Sequence, residues 1–190
     1  MFVLVTGGSG SGKSEYAENR VLEFGDKKRY YIATMMCFDQ ESKKRVERHR
    51  KMRAGKGFET VERYLDLKNL ELPQEKMDMT NKQEDTVNSH GGITVLLECM
   101  SNLAANEVFD PAGSGDGAFE EIKTGIDRLI GKCDNLVVVT NEIFSDGITY
   151  DFDTMRYMEI LGKVNTYMAA LADEVVESVY GIPVYHKKYS

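Results

Sequence analysis

Eight residues near the start of the chain, Gly7-Gly8-Ser9-Gly10-Ser11-Gly12-Lys13-Ser14, have the types and order of a phosphate-binding loop, G-x-x-x-x-G-K-[ST]. Glycines let the backbone curl until several N–H groups point at one phosphate. A helix that follows adds its free N–H groups and the positive end of its dipole. Lys13 would reach the outer phosphates, and the Ser14 hydroxyl would ligate Mg²⁺. A carboxylate must hold that cation from the other side. Glu98, at the end of the apolar run Ile93-Thr94-Val95-Leu96-Leu97, fits this duty. The bland alternative for Glu98 is an acid that caps the next helix.

A second chemical feature is His49, flanked by Arg48 and Arg50, with Arg45, Lys51 and Arg53 nearby. The surrounding cations disfavour the charged ring and keep it nucleophilic, and they would neutralise phosphate oxygens under attack. A histidine so placed can take a phosphoryl or nucleotidyl group covalently. A solvated basic helix face with an incidental histidine explains the local sequence as well. His90 lies in a polar stretch and His186 near the end of the chain, and neither has such company.

The elements that must position these groups follow from periodicity. Residues 2–6 form a buried strand that feeds the loop, and residues 14–24 form a helix ended by Gly25. Residues 30–34 are β-branched and aromatic, hence a strand. Residues 40–53 form a charged helix with an acidic first turn and a basic last turn, ended by Gly55 and Gly57. Further strands are predicted at 58–62, 93–99 and 136–140, with a helix or turn at 100–108 and an amphipathic helix at 118–131. Residues 110–117 read as a loop. Residues 153–173 form a long helix with Met155, Met158, Leu161, Val164, Met168 and Leu171 as a packing stripe. The end reads as two short strands across a Gly181-Ile182-Pro183 turn. Strands alternating with helices imply an α/β fold: a P-loop NTPase-like, mostly parallel sheet with helices on both faces and a small C-terminal β-hairpin. Ligands bind at the carboxyl ends of such strands, which gathers the loop, Thr34, Glu98 and Asn141-Glu142 on one edge.

Composition narrows the function. A chain of 190 residues suits one domain, residues 1–190, with a polar surface insertion at about 73–92. Hydrophobic residues make up 42% and charged ones 29%, ordinary for a globular protein. A net charge of -7 argues against a nucleic-acid binder. No apolar run approaches ~18 residues, so no membrane span is expected. The chain opens into a strand without a basic leader, and Cys37, Cys99 and Cys133 fit neither a disulfide framework nor a metal motif. A cytoplasmic protein is expected.

Taken together, GGSGSGKS, YIAT, R-x-x-x-H-R-x-x-R at Arg45–Arg53, FETVE, LLEC, TNE, LGKVN and ADEVV, in that order, resemble the bifunctional adenosylcobinamide kinase/adenosylcobinamide-phosphate guanylyltransferase family. The likeness spans most of the chain outside roughly 65–92 and 109–134. It implies phosphorylation of adenosylcobinamide by a nucleoside triphosphate (GTP or ATP), then transfer of GMP from GTP through a histidine to adenosylcobinamide phosphate, with Mg²⁺. The family's guanylylated histidine falls on His49, which favours the chemical reading of that residue, with Lys13 as its catalytic companion. Its nucleotide contacts fall on Gly7, Gly8, Ser9, Gly10, Ser11, Gly12, Lys13 and Ser14, on Ala33, Thr34 and Met35, on Arg50, Lys51, Met52 and Arg53, and on Glu62 and Glu98. The metal ligands would be Ser14 and Glu98. Small-molecule partners and a homo-oligomer, a trimer, are implied. The chain departs from the family at Gly10, where an arginine is usual, at Phe58, where a tryptophan is usual, and at 143–150, which lacks a proline.

Overall fold

A computed structural model describes residues 1–25, 27–37, 39–73 and 92–188. Seven strands form one sheet in the order β3-β2-β4-β5-β1-β6-β7. They are β1 (Phe2–Thr6), β2 (Lys28–Ala33), β3 (Phe58–Glu62), β4 (Ile93–Glu98), β5 (Asn135–Val139), β6 (Glu174–Val179) and β7 (Ile182–Lys187). All neighbours pair in parallel except β6 and β7. The helices are α1 (Lys13–Glu23), α2 (Gln40–Arg53), α3 (Met100–Phe109), α4 (Ala118–Lys132) and α5 (Phe152–Leu171).

Alternate strand residues feed two cores. Phe2, Leu4, Ile32, Val95, Leu97, Leu136 and Val138 pack under Leu103, Ile126, Leu161 and Met168, from α3, α4 and α5. Val3, Val5, Tyr31, Leu96, Val137 and Val139 pack under Ala17 and Val21 of α1. Burial on both faces explains why β4 and β5 are continuous apolar runs rather than alternating ones.

β5 lies between β1 and β4, so the strand that leads into the phosphate loop is one strand removed from the strand that ends in Glu98. Register aligns Val5, Val139, Glu98, Ala33 and Glu62 in one row across β1, β5, β4, β2 and β3. Glu62 thus ends a strand two spacings, roughly 10 Å, from Glu98, with only the Ala33 methyl between them. Paired residues share a face, so this row and Tyr31 and Thr60 behind it floor the α1 side of the sheet's carboxyl edge.

α2 is built differently from the other helices. Asp39 caps it, accepting from Ser42 N at 2.7 Å while Ser42 Oγ accepts from Asp39 N at 3.1 Å. Its sequence QESKKRVERHRKMR offers only Val46 and Met52 as apolar groups, so no apolar stripe holds it down. Polar side chains hold it instead. The chain that follows α2 is tied to α1 by Lys56 Nζ, 2.6 Å from Oε2 of the fully buried Glu18.

The predicted architecture and both ends of α2 are found as expected, with four adjustments. Thr34 lies just past β2, which starts two residues earlier than predicted. A short 3-10 turn, Gly115–Gly117, precedes α4. The hairpin turns at Tyr180 and Gly181, both at positive φ, so Ile182 and Pro183 already belong to β7. Pro183 is tolerated because β7 is the sheet's edge. The methionine stripe of α5 is core only in its middle: Leu161, Val164 and Met168 are buried, whereas Met155 and Leu171 are exposed. Residues 74–91, most of the predicted insertion, lie outside the described residues.

The Lys56–Glu18 pair generates a stability prediction. Removing Lys56 leaves a carboxylate buried without its cation, so Lys56→Met should cost about 3 kcal/mol in urea unfolding. Lys163→Met breaks an exposed pair with Glu159 and should change stability by no more than about 0.5 kcal/mol.

Candidate active site

The carboxyl edge of the sheet opens into a cavity of about 500 Å³. Ser9 to Ser14 of the loop line it on one side and α2 on another. The loop's conformation depends on glycine at Gly7 and Gly12. At Gly7, φ +152°, a Cβ would fall 2.6 Å from Ser11 Oγ and 2.7 Å from Ser178 O. At Gly12, φ +90°, it would fall 3.1 Å from Gly181 Cα. The C-terminal hairpin therefore props the loop: Ser178 Oγ and Gly181 N both donate to Ser11 O, at 2.7 and 2.8 Å. No side chain caps the start of α1, so its first N–H groups are available to an anion. The buried Lys13 donates to Gly8 O at 2.8 Å, folded over the loop it belongs to.

Glu98 is the centre of the polar network. Its carboxylate is buried and accepts a hydrogen bond from Ser14 Oγ on Oε1 and from Tyr31 OH, at 3.1 Å, on Oε2. His49 Nδ1 lies 3.3 Å from Oε1, close enough for an ion pair but short of hydrogen-bond geometry. Burial pushes the carboxyl up, and the His49 ring, Ser14 and Tyr31 together outweigh it, leaving Glu98 below its ordinary range. Tyr31 is raised, first by its burial and then by the Glu98 charge. The buried Arg53 guanidinium lies over the Tyr31 ring at 3.3 Å, and its Nη1 has no hydrogen-bond partner.

Not every predicted contact reaches the cavity. Ser9, Gly10, Ser11, Gly12, Lys13, Ser14, Ala33, Met35, His49, Arg50, Met52, Arg53, Glu62 and Glu98 line it. Gly7 and Gly8 form the root of the loop instead. Thr34 is fully buried behind the wall, where its Oγ1 exchanges two 2.8 Å hydrogen bonds with the Cys99 backbone and fixes the end of β4. Lys51 points away on the exposed side of α2. Glu62 accepts from Tyr64 OH at 2.8 Å and lies 3.3 Å from Arg50 Nη2. Burial first, and then the Glu62 carboxylate, push Tyr64 up to about 12.

Several lining residues were not among the predicted contacts, Tyr31, Thr60, Tyr64 and Asn102 among them, whereas Asn141 was expected at this edge. Tyr31 was detectable, since it shares strand parity with Ala33 and must face the same side. Asn141 follows β5, between the loop and Glu98, and donates to Ser101 Oγ at 2.6 Å. The sequence also pointed to cations around His49, whereas the charge set against its ring is the Glu98 carboxylate.

Comparison with known proteins identifies the family. The model of the family "Cobinamide kinase / cobinamide phosphate guanyltransferase" matches residues 3–185. The chain belongs to that family. It is 35% identical over 196 residues to the "Bifunctional adenosylcobalamin biosynthesis protein CobU" of Escherichia coli (strain K12), covering 97% of this chain and 98% of that one. To the protein of the same name from Salmonella typhimurium it is 32% identical, with the same coverage. Among solved structures it resembles an ATPase from the type III secretion system of pathogenic bacteria, with a TM-score of 0.52 at 11% identity, over 93% of this chain and 51% of that one. That likeness concerns the fold, a P-loop α/β sheet. Within this cobinamide kinase/guanylyltransferase chain, Gly10 has φ +72° and open space around it, so the loop keeps its shape where the resemblance leads one to expect arginine.

The depressed Glu98 carboxyl fixes the sign of a pH effect. Such a group contributes stability above the ordinary carboxylate range and loses it as pH falls through that range. Glu98→Gln should therefore cost about 2 kcal/mol at pH 7, and the gap to wild type should shrink below about pH 4. Urea unfolding at the two pH values measures both.

Proposed function

We propose that this chain carries out both reactions of its family in adenosylcobalamin biosynthesis: phosphorylation of adenosylcobinamide, and transfer of GMP from GTP to the resulting phosphate through a guanylyl-His49 intermediate. The observation that carries the reading is one cavity lined by both a phosphate loop and His49, with Glu98 touching Ser14 and His49 together. A triphosphate in the loop would lie where a ring on α2 can reach its α-phosphorus.

Each residue then has a task. The loop amides, the start of α1 and Lys13 would bind the outer phosphates and hold the pyrophosphate as it leaves. Arg53 has an unpartnered, buried Nη1 on the cavity wall, suited to a phosphate oxygen. Ala33, Met35, Met52 and Glu62 would receive the nucleoside along the floor row. The Ser14 hydroxyl and Glu98 carboxylate are hard oxygen donors beside the loop and fit Mg²⁺. When bound, that ion would neutralise charge developing on the phosphate oxygens. Small-molecule substrates and a homotrimer, as the resemblance implies, and a cytoplasmic location, as the composition suggests, complete the proposal. Among the described residues no helix is long and apolar enough to cross a membrane.

Intact-mass spectrometry after incubation with GTP and Mg²⁺, kept at neutral or alkaline pH, tests the central step. A GMP-sized increase is expected in the wild type and none in His49→Ala. Lys13→Ala should form the same adduct on the order of 10²-fold more slowly. No adduct in protein that binds GTP would exclude the covalent mechanism.

A further inference from the structure

We propose that Glu98 is a positioning residue for His49, fixing the ring tautomer so that Nε2, not Nδ1, attacks the nucleotide and carries the GMP. This rests on the guanylyl-histidine reading above and adds the reacting atom and the group that selects it.

The ring is held asymmetrically. Nδ1 is wholly buried, 3.3 Å from Glu98 Oε1. The side chain as a whole keeps 20% of its surface exposed and lines the cavity. With Nδ1 turned inward, the part of the ring left to face the cavity is the remainder, which includes Nε2. Glu98 cannot turn away, because Ser14 Oγ engages Oε1 and Tyr31 OH engages Oε2. An ionised carboxylate is acceptor-only, so the atom facing it must be a donor. Placing the proton on Nδ1 satisfies both groups. Placing it on Nε2 would set the Nδ1 lone pair against a carboxylate oxygen and block the exposed nitrogen. Catalytic hydrogen bonds are often long before substrate binds and tighten with it, which accommodates the 3.3 Å approach.

The chemistry balances with this tautomer. The Nε2 lone pair forms the N–P bond as the α-phosphorus–oxygen bond to pyrophosphate breaks, and pyrophosphate leaves with that electron pair. The ring becomes an N-phosphorylated imidazolium with its proton still on Nδ1, and the Glu98 charge offsets it. When the phosphate oxygen of the acceptor attacks, the N–P bond breaks and the lone pair returns to Nε2. No net proton transfer is needed in either half.

Nitrogen-15 NMR of the histidine-labelled chain tests this, with His49 assigned by comparison with His49→Asn. In the nucleotide-free protein at neutral to mildly alkaline pH, the ring should give the Nδ1–H pattern with an unprotonated Nε2. The opposite pattern would overturn the proposal. Glu98→Gln, whose amide can donate to Nδ1, should move the ring toward the Nε2–H form and slow guanylylation at least about tenfold. An unmoved tautomer would count against Glu98 as its cause. After GTP is added, phosphorus–nitrogen coupling should place GMP on Nε2, and a coupling to Nδ1 would refute the assignment. If no adduct forms at all, the covalent reading fails, while the nucleotide-free spectrum still decides the tautomer.

Discussion

A carboxylate buried at the carboxyl edge of a sheet is costly unless donors surround it, and Glu98 is surrounded. Ser14 reaches it from the phosphate loop, Tyr31 from β2 and the His49 ring from α2. Tyr31 already shares a core with α1, but α2 has little apolar surface to share with either. The need to satisfy one charge therefore does what a hydrophobic stripe does elsewhere, and brings α2 over the cavity. Arg53 over Tyr31 and Lys56 against Glu18 extend the same logic to the end of the helix. A helix held by polar contacts can carry a reactive residue without burying it, because nothing apolar must be sealed beneath it.

The phosphate loop has its own support from the far end of the chain. Ser178 and Gly181 both bond the Ser11 carbonyl, and the space around Gly7 is filled by Ser11 and Ser178 and that around Gly12 by Gly181 and Ser178. An anion site made of backbone N–H groups depends on those groups staying aimed at one point. A rigid hairpin, wedged against the loop through β6 and its pairing to β1, fixes that aim before any nucleotide arrives.

Much of this was legible in the sequence because the relevant signals are local. Strands buried on both faces write themselves as apolar runs, so β1, β4 and β5 were readable, and with them the positions of the loop and of Glu98. The acidic first turn and the Gly55 and Gly57 stops marked the ends of α2. What α2 rests on was not readable, because polar pairs such as His49 and Glu98 leave no periodic trace and join residues in different elements. The same holds for Lys56 and Glu18. Thr34 and Lys51 show the limit of reading a site by resemblance: a residue can sit among ligand contacts in sequence while its side chain stitches the backbone behind them or faces solvent. The hairpin turn was displaced because Pro183 signals a turn in most settings, yet an edge strand accepts it.

In the proposed mechanism the loop and His49 act on the same nucleotide, the loop retaining the outer phosphates while His49 takes the α-phosphoryl group. Parallel incubations with GTP radiolabelled at the α- or the γ-phosphorus test it most directly. Label from the α position should remain on the protein through alkaline denaturation and disappear in His49→Ala, while γ-label should leave as pyrophosphate. Retention of γ-label on the protein, or α-label that survives loss of His49, would contradict it.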